Sequence, residues 1–250
     1  MMLVRSVLVA VLTVGLSFSV AAAQRLHLVG DSTMSDKVNP AYPERGWGQL
    51  LPGFLSPEVE VINRAANGRS TRRFVNEGRW QALLDDLQAG DYVLIQFGHN
   101  DQKKSDPERY ASVDKDYPAF LRQFIRQVQE KDATPMLASS ICRRHFDENG
   151  ELKLNLADYA QAARMVAKEE QVTFFDLQKL SCDFIQQQGP VNSQPYFIQV
   201  PADLYQKFPE GKTDNTHLTL QGASRIAQLF VRELKRQQHP LAAQVVRERL

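Results

Sequence analysis

Leu26-His27-Leu28-Val29-Gly30-Asp31-Ser32-Thr33 reads as a buried strand that runs straight into a small polar turn with one central hydroxyl. A short apolar run closed by Gly-Asp-Ser suits a strand covered on both faces. Four more runs share this character: Val59–Ile62, Tyr92–Phe97, Pro135–Ala138 and Val172–Phe175. Amphipathic stretches at helical spacing alternate with them: Gly46–Phe54, Trp80–Leu87, Tyr117–Glu130, Leu156–Glu169 and Leu220–Gln237. Strand alternating with helix predicts an α/β fold, a flavodoxin-like three-layer sandwich around a five-stranded parallel sheet. Ligands in such folds sit beyond the carboxyl ends of the strands. The residues just after each strand are therefore the place to look for chemistry.

The rest of the chain bounds the answer. Arg5 precedes the apolar run Ser6–Val20, and Ala21-Ala22-Ala23 offers a cleavage site before Gln24. This is the layout of a secretory signal peptide; the run is short for a membrane span and ends in small residues. The expectation is a leader over 1–23 and one domain over 24–250, exported to the periplasm or the medium, with no membrane attachment after cleavage. The 250 residues include 30 Lys and Arg against 29 Asp and Glu, a formal net charge of +1. That balance leaves no electrostatic footprint for nucleic acid. Cys142 and Cys182 can pair in an exported protein or remain buried thiols, and sequence alone does not give their separation. Gln186–Tyr205, with five Gln and three Pro, reads as an excursion loop, and His239–Leu250 as a short helix or a frayed tail.

Four blocks follow the expected elements. Gly30-Asp31-Ser32-Thr33 follows the first strand. Asn63-Arg64-Ala65-Ala66-Asn67-Gly68-Arg69-Ser70 follows the second, and Gly98-His99-Asn100-Asp101 the third. Asp214-Asn215-Thr216-His217 precedes the last helix. A serine hydroxyl needs a base to become a nucleophile. His217 can be that base, with Asp214 three residues earlier bonding the other ring nitrogen and fixing the tautomer. A tetrahedral intermediate also needs donors for its oxyanion. The Ser32 backbone N–H, the Gly68 backbone N–H and the Asn100 amide can supply them. Gly68 lets the backbone approach closely.

Taken singly, each block has a plainer reading. Gly-Asp-Ser-Thr is a common helix cap, Asn67-Gly68 a turn, and His217 a core histidine. His99 and Asp101 flank Asn100 and compete for the base role. The Asp214/His217 pair is preferred because one short loop places both. Asp31 caps the turn or packs beneath the site, and Trp47 belongs to the core rather than to a sugar platform. Asp147-Glu148-Asn149-Gly150 lacks the spaced ligands of a calcium loop and reads as a turn. HExxH and CxxC patterns are absent, and the chemistry asks for no metal and no cofactor. A G-x-S-x-G elbow is also absent, which argues against an α/β-hydrolase.

All four blocks in this order resemble the GDSL/SGNH hydrolase superfamily, whose blocks contribute Ser, Gly, Asn and His. The matching residues are Ser32, Gly68, Asn100 and His217, with Asp214 completing the last block. Thr33 stands where Leu is common. "GDSTM", "NRAANGRSTRRF", "FGHND", "RRHFDENG" and "DNTHLTLQG" are together similar to the rhamnogalacturonan acetylesterase branch. The resemblance implies the SGNH hydrolase fold and a secreted serine esterase. Its partner would be an acetylated polysaccharide or oligosaccharide of the pectic class, with acetylated xylan, other sugar esters, lipid or thioester as neighbouring substrates. On that reading Arg69, Arg72, Arg143 and Arg144 are candidates to hold galacturonate carboxylates.

Overall fold

The computed structural model describes residues 24–38 and 43–248; the expected leader over 1–23 lies outside them. Five parallel strands form the main sheet: β1 (Gln24–Gly30), β2 (Val59–Asn63), β3 (Tyr92–Gln96), β4 (Thr134–Ala138) and β5 (Thr173–Phe175). Their order is β2-β1-β3-β4-β5. The chain winds outward from β1 in both directions, so the switch point lies between β1 and β3. The first quoted block ends β1 at this point, and Gly-His-Asn-Asp follows β3.

Side chains alternate across β1. Leu26 and Leu28 enter one core layer and Val29 the other. The polar exception, His27, is fully buried and satisfied, with Asp91 3.1 Å from Nε2. The Leu26/Leu28 layer is closed by α1 (Trp47–Leu50), α6 (Leu177–Asn192) and α7 (Leu220–Arg236). In α7 the buried residues Ala223, Ile226, Ala227, Phe230, Val231 and Leu234 recur at helical spacing. Each fully buried large side chain of this kind contributes about 1.5–3 kcal/mol. The opposite layer is closed by α2 (Thr71–Asn76), α3 (Arg79–Asp86), α4 (Asp116–Gln129) and α5 (Ala157–Glu169). This is the three-layer sandwich that the alternation predicts.

Two expectations need correction. Gly46–Phe54 is two short helices, because Pro52 opens a 3-10 turn over Leu51–Phe54. Gln186–Tyr205 is not a loop. Its glutamines are good helix formers and extend α6. Gly189, in the left-handed region with φ 73°, ends one helical segment, and Pro190 begins a second that reaches Asn192. β6 (Phe197–Val200) follows and pairs antiparallel with β7 (Lys212–Leu218). The tail forms a 3-10 turn over Pro240–Gln244, and Val245 bridges Leu55. Cys142 and Cys182 form a disulfide that ties the segment after β4 to α6.

Candidate active site

The turn after β1 is built by Asp31. Its Oδ1 accepts from the Thr33 backbone N–H and hydroxyl, both at 2.9 Å. Its Oδ2 lies 3.2 Å from His99 Nδ1. Burial works to raise the Asp31 carboxyl, but His99 and Thr33 outweigh it and hold it below its ordinary value. Asp31 therefore both caps the turn and packs beneath it. Ser32 is left at the tip, half-buried.

The last block does not sit in a plain loop. Ile198 pairs with Asp214 and Phe197 pairs with Leu218, so Asn215, Thr216 and His217 have no partner in the ladder. They form a bulge, and a bulge re-aims side chains out of the pleat. His217 Nε2 lies 2.9 Å from Ser32 Oγ, and His217 Nδ1 lies 2.8 Å from Asp214 Oδ2. The other oxygen, Asp214 Oδ1, accepts from the backbone N–H groups of Thr216 (2.8 Å) and His217 (3.0 Å). Burial pushes the Asp214 carboxyl up, but the His217 ring and these N–H groups pull it well below the carboxylate range. An ionised carboxylate has no proton to give. Nδ1 therefore carries the hydrogen, and Nε2 presents its lone pair to the serine hydroxyl.

The remaining blocks are tied to one another and to the turn. Ser35 Oγ donates to Asn67 Oδ1 at 2.7 Å, and Ala66 N–H donates to Gly30 O at 3.0 Å. Asn100 Nδ2 donates to Arg69 O at 3.0 Å, which leaves its second N–H uncommitted. Among the described residues, neither the Ser32 nor the Gly68 backbone N–H is spent on a protein acceptor. Gly68 has φ 74°. A Cβ there would meet Arg109 Nη1 only at 3.8 Å. The left-handed backbone, not lack of space, is what calls for glycine.

His99 is buried against Asp31, and the ring nitrogen that meets Ser32 Oγ belongs to His217. Asp101 serves the scaffold: its Oδ1 accepts from the Thr71 N–H (2.9 Å) and hydroxyl (2.6 Å) at the start of α2. Burial, with the Asp31 charge adding, raises the Asp101 carboxyl to about 7. Trp47 is fully buried and donates to Gln96 Oε1 at 3.0 Å. Asp147–Gly150 is a turn closed by Asp147 Oδ1 on Asn149 N–H. Among the described residues no three His, Cys, Asp or Glu side chains converge as a metal site.

Ser32, Gly68, Asn100, Asp214 and His217 line one cleft of about 380 Å³, at the small end for ligand sites (roughly 300–1,000 Å³). Among its described lining residues only Ile198 and Phe208 are apolar. The four arginines singled out in the sequence do not line it. Arg69 is spent on Glu77 and Asn67 O. Arg72 is spent on Asp116 and Tyr110 O. Arg143 donates to His99 O. Arg144 binds Ser193, Asn215 and Pro190 O. The cations that line the cleft are Lys103, Arg109 and Lys212, beside Glu44. Glu44 pairs with Lys37 (3.1 Å) and Lys207 (2.9 Å). Sequence reasoning missed these residues; the position of Lys212, two residues before Asp214, was the one available signal.

The model of the GDSL-like Lipase/Acylhydrolase family matches residues 28–225. A Bacillus subtilis protein named "Probable rhamnogalacturonan acetylesterase YesY" is 37% identical over 91% of this chain and 100% of its own length. Rhamnogalacturonan acetylesterase RhgT of the same organism is also 37% identical, over 89% of this chain and 94% of its own. Among solved structures, B. subtilis YxiM superposes with a TM-score of 0.74 at 28% identity, covering 87% of this chain and 57% of that one. An acetylxylan esterase of Geobacillus stearothermophilus shares the fold (TM-score 0.61, 18% identity, 85% of this chain and 94% of that one). The chain belongs to the GDSL-like Lipase/Acylhydrolase family and is a carboxylic ester hydrolase.

Proposed function

We propose that the protein is an exported esterase that removes O-acetyl groups from an acidic, pectic polysaccharide of the rhamnogalacturonan class. The observation that carries this reading is the unbroken chain Ser32 Oγ–His217 Nε2, His217 Nδ1–Asp214, lying beside three uncommitted N–H donors in a polar cleft. Ser32 Oγ attacks the acetyl carbonyl while His217 takes its proton, and the imidazolium is stabilised by Asp214. The N–H groups of Ser32 and Gly68 and the Asn100 amide receive the oxyanion. Collapse breaks the bond to the sugar oxygen, which leaves as a hydroxyl by taking the proton from His217. Water, deprotonated by His217, then attacks the acetyl-enzyme and releases acetate.

The small, mostly polar cleft favours an acetyl group on a sugar over a long acyl chain, which needs an apolar groove. Lys103 and Lys212 at the cleft favour a uronic acid over neutral xylan, while Arg109 beside them is paired with Asp106 at 2.8 Å. The two relatives at 37% identity bear rhamnogalacturonan acetylesterase names, which supports the same substrate. The Cys142–Cys182 bond and the leader-like 1–23 support export. The test is acetate release from acetylated rhamnogalacturonan, homogalacturonan and xylan, with Ser32→Ala as the blank. Rhamnogalacturonan should be the best substrate by kcat/KM. Preference for xylan, or a Ser32→Ala variant that still turns over, would reject the reading.

A further inference from the structure

A shelf beside the cleft is walled by Arg144, His145, Phe146, Lys153, Pro190 and Asn215. We propose that this shelf is a second subsite, which takes the carboxylate of a uronic-acid residue further along the same polysaccharide. The proposal rests on the polysaccharide-esterase reading above and deepens it.

The first argument is position. Asn215 lines the shelf, while Asp214 and His217 line the cleft. All three belong to the β7 bulge region, so the two depressions share one short stretch of chain as their common wall. A polymer whose ester lies over Ser32 passes this wall as it leaves.

The second argument is charge. Arg69, Arg73 and Arg79 all reach one carboxylate, Glu77, which answers part of their charge. The shelf cations differ. Arg144 gives three N–H groups to neutral acceptors: Ser193 Oγ at 2.9 Å, Asn215 Oδ1 at 2.9 Å and Pro190 O. Its charge stays uncompensated, and two of its five N–H groups remain. Lys153 is exposed and has no carboxylate partner among the described residues. Positive charge is also continuous from cleft to shelf. Arg109 and Arg143 act together on Lys103, and Arg143 and Lys153 act together on His145. Asp106 answers Arg109 at 2.8 Å, and Asp31 and Asp214 act on Arg143, so Arg144 and Lys153 are the shelf cations left for a bound anion.

The third argument is shape. Phe146 is half-buried, and the Arg144 guanidinium lies 5.8 Å from its ring centroid. The ring and Pro190 give an apolar face for the C–H side of a sugar, while Arg144 and Lys153 address its acid group.

The test is titration calorimetry with unesterified tetragalacturonate, xylotetraose, monomeric galacturonate and inorganic phosphate. The proteins are the parent, Lys153→Gln, Lys153→Glu and Lys131→Gln. Lys131 is exposed just before β4, at the opposite end of the sheet, and controls for net charge. Tetragalacturonate should bind the parent and Lys131→Gln alike. Binding should weaken about fivefold in Lys153→Gln and further in Lys153→Glu. Xylotetraose should not bind comparably. The proposal is overturned if tetragalacturonate does not bind the parent, if Lys131→Gln loses as much as Lys153→Gln, or if phosphate binds as tightly as the tetramer. Acetate release from rhamnogalacturonan separates the two readings. If the parent releases none, the esterase reading falls and the calorimetric result stands alone. If it releases acetate with a KM that Lys153→Glu does not move, the subsite falls alone.

Discussion

Asp214→Asn tests the hydrogen-bond chain at its least obvious member. The carboxylate uses both oxygens, Oδ2 for the His217 ring (2.8 Å) and Oδ1 for two backbone N–H groups (2.8 and 3.0 Å). An asparagine has one oxygen and must choose. Turned toward the ring, it would set its NH₂ against two N–H donors, at about 1–3 kcal/mol for each donor left unsatisfied. Turned toward the backbone, it keeps both of those bonds and faces His217 Nδ1 with a donor. The second orientation wins. The ring proton then moves to Nε2, which meets Ser32 Oγ across 2.9 Å with a hydrogen in place of a lone pair. The serine proton has nowhere to go. The expected loss in kcat is about 10⁴-fold, near 5 kcal/mol of barrier. Initial rates on p-nitrophenyl acetate measure it, and a thermal melt alongside checks the fold. A folded variant within about tenfold of the parent would refute the tautomer argument and the role given to Asp214.

Asn100→Ala removes one oxyanion donor while the Ser32 and Gly68 N–H groups remain. On the same chromogenic ester kcat should fall by about 10²–10³, and a change in KM alone would place Asn100 in binding instead. Cys142→Ser opens a bridge between residues 40 apart in sequence, for which the chain-entropy model gives about 4 kcal/mol; urea unfolding of the variant and of the reduced parent should show the same lowered midpoint. Asp101 is held near 7 by burial against an ordinary value of 3.8, so the folded chain retains a proton that the unfolded chain has released. This stabilises the fold fully below about pH 4 and is lost as pH rises through about 7. The thermal midpoint of the parent should therefore fall relative to Asp101→Asn over that window, and parallel curves would contradict the buried-acid account.

The sheet was legible because the central strands are nearly continuous apolar runs, broken within Leu26–Val29 of β1 only by His27, as suits strands covered on both faces. Three of the site residues were legible for a related reason: chemistry in such folds gathers after the strands, and Ser32, Gly68 and Asn100 each follow one, whereas Asp214 and His217 were legible from their spacing before the last helix. The arginines show where this reading ends. A charged side chain in sequence does not say whether its charge is already answered. Arg69, Arg73 and Arg79 look like a free basic patch, yet all three are tied to the one carboxylate of Glu77. Lys103 and Arg109 come from the segment between β3 and α4 and Lys212 from the start of β7, and they meet only once the fold has brought the two stretches to one edge. Charge compensation is a property of tertiary neighbours, and composition near neutrality hides it.

The misread segment Gln186–Tyr205 matters for the same site. It contains β6, whose pairing with β7 leaves Asn215, Thr216 and His217 outside the ladder. It also contains Pro190 and Ser193, whose oxygens hold the Arg144 guanidinium. Arg144 in turn grips the bulge twice, by its backbone N–H to Asn215 O (2.8 Å) and by Nη1 to Asn215 Oδ1 (2.9 Å). The Asp-x-x-His spacing alone brings two side chains near each other. It does not aim them at Ser32, 185 residues earlier in the chain. That aim comes from a strand pair and a kinked helix in the stretch whose glutamines and prolines imitate a loop. A motif therefore names the residues of such a site well before it accounts for their geometry, and the supporting segment is where changes remote from the chemistry should be felt in kcat.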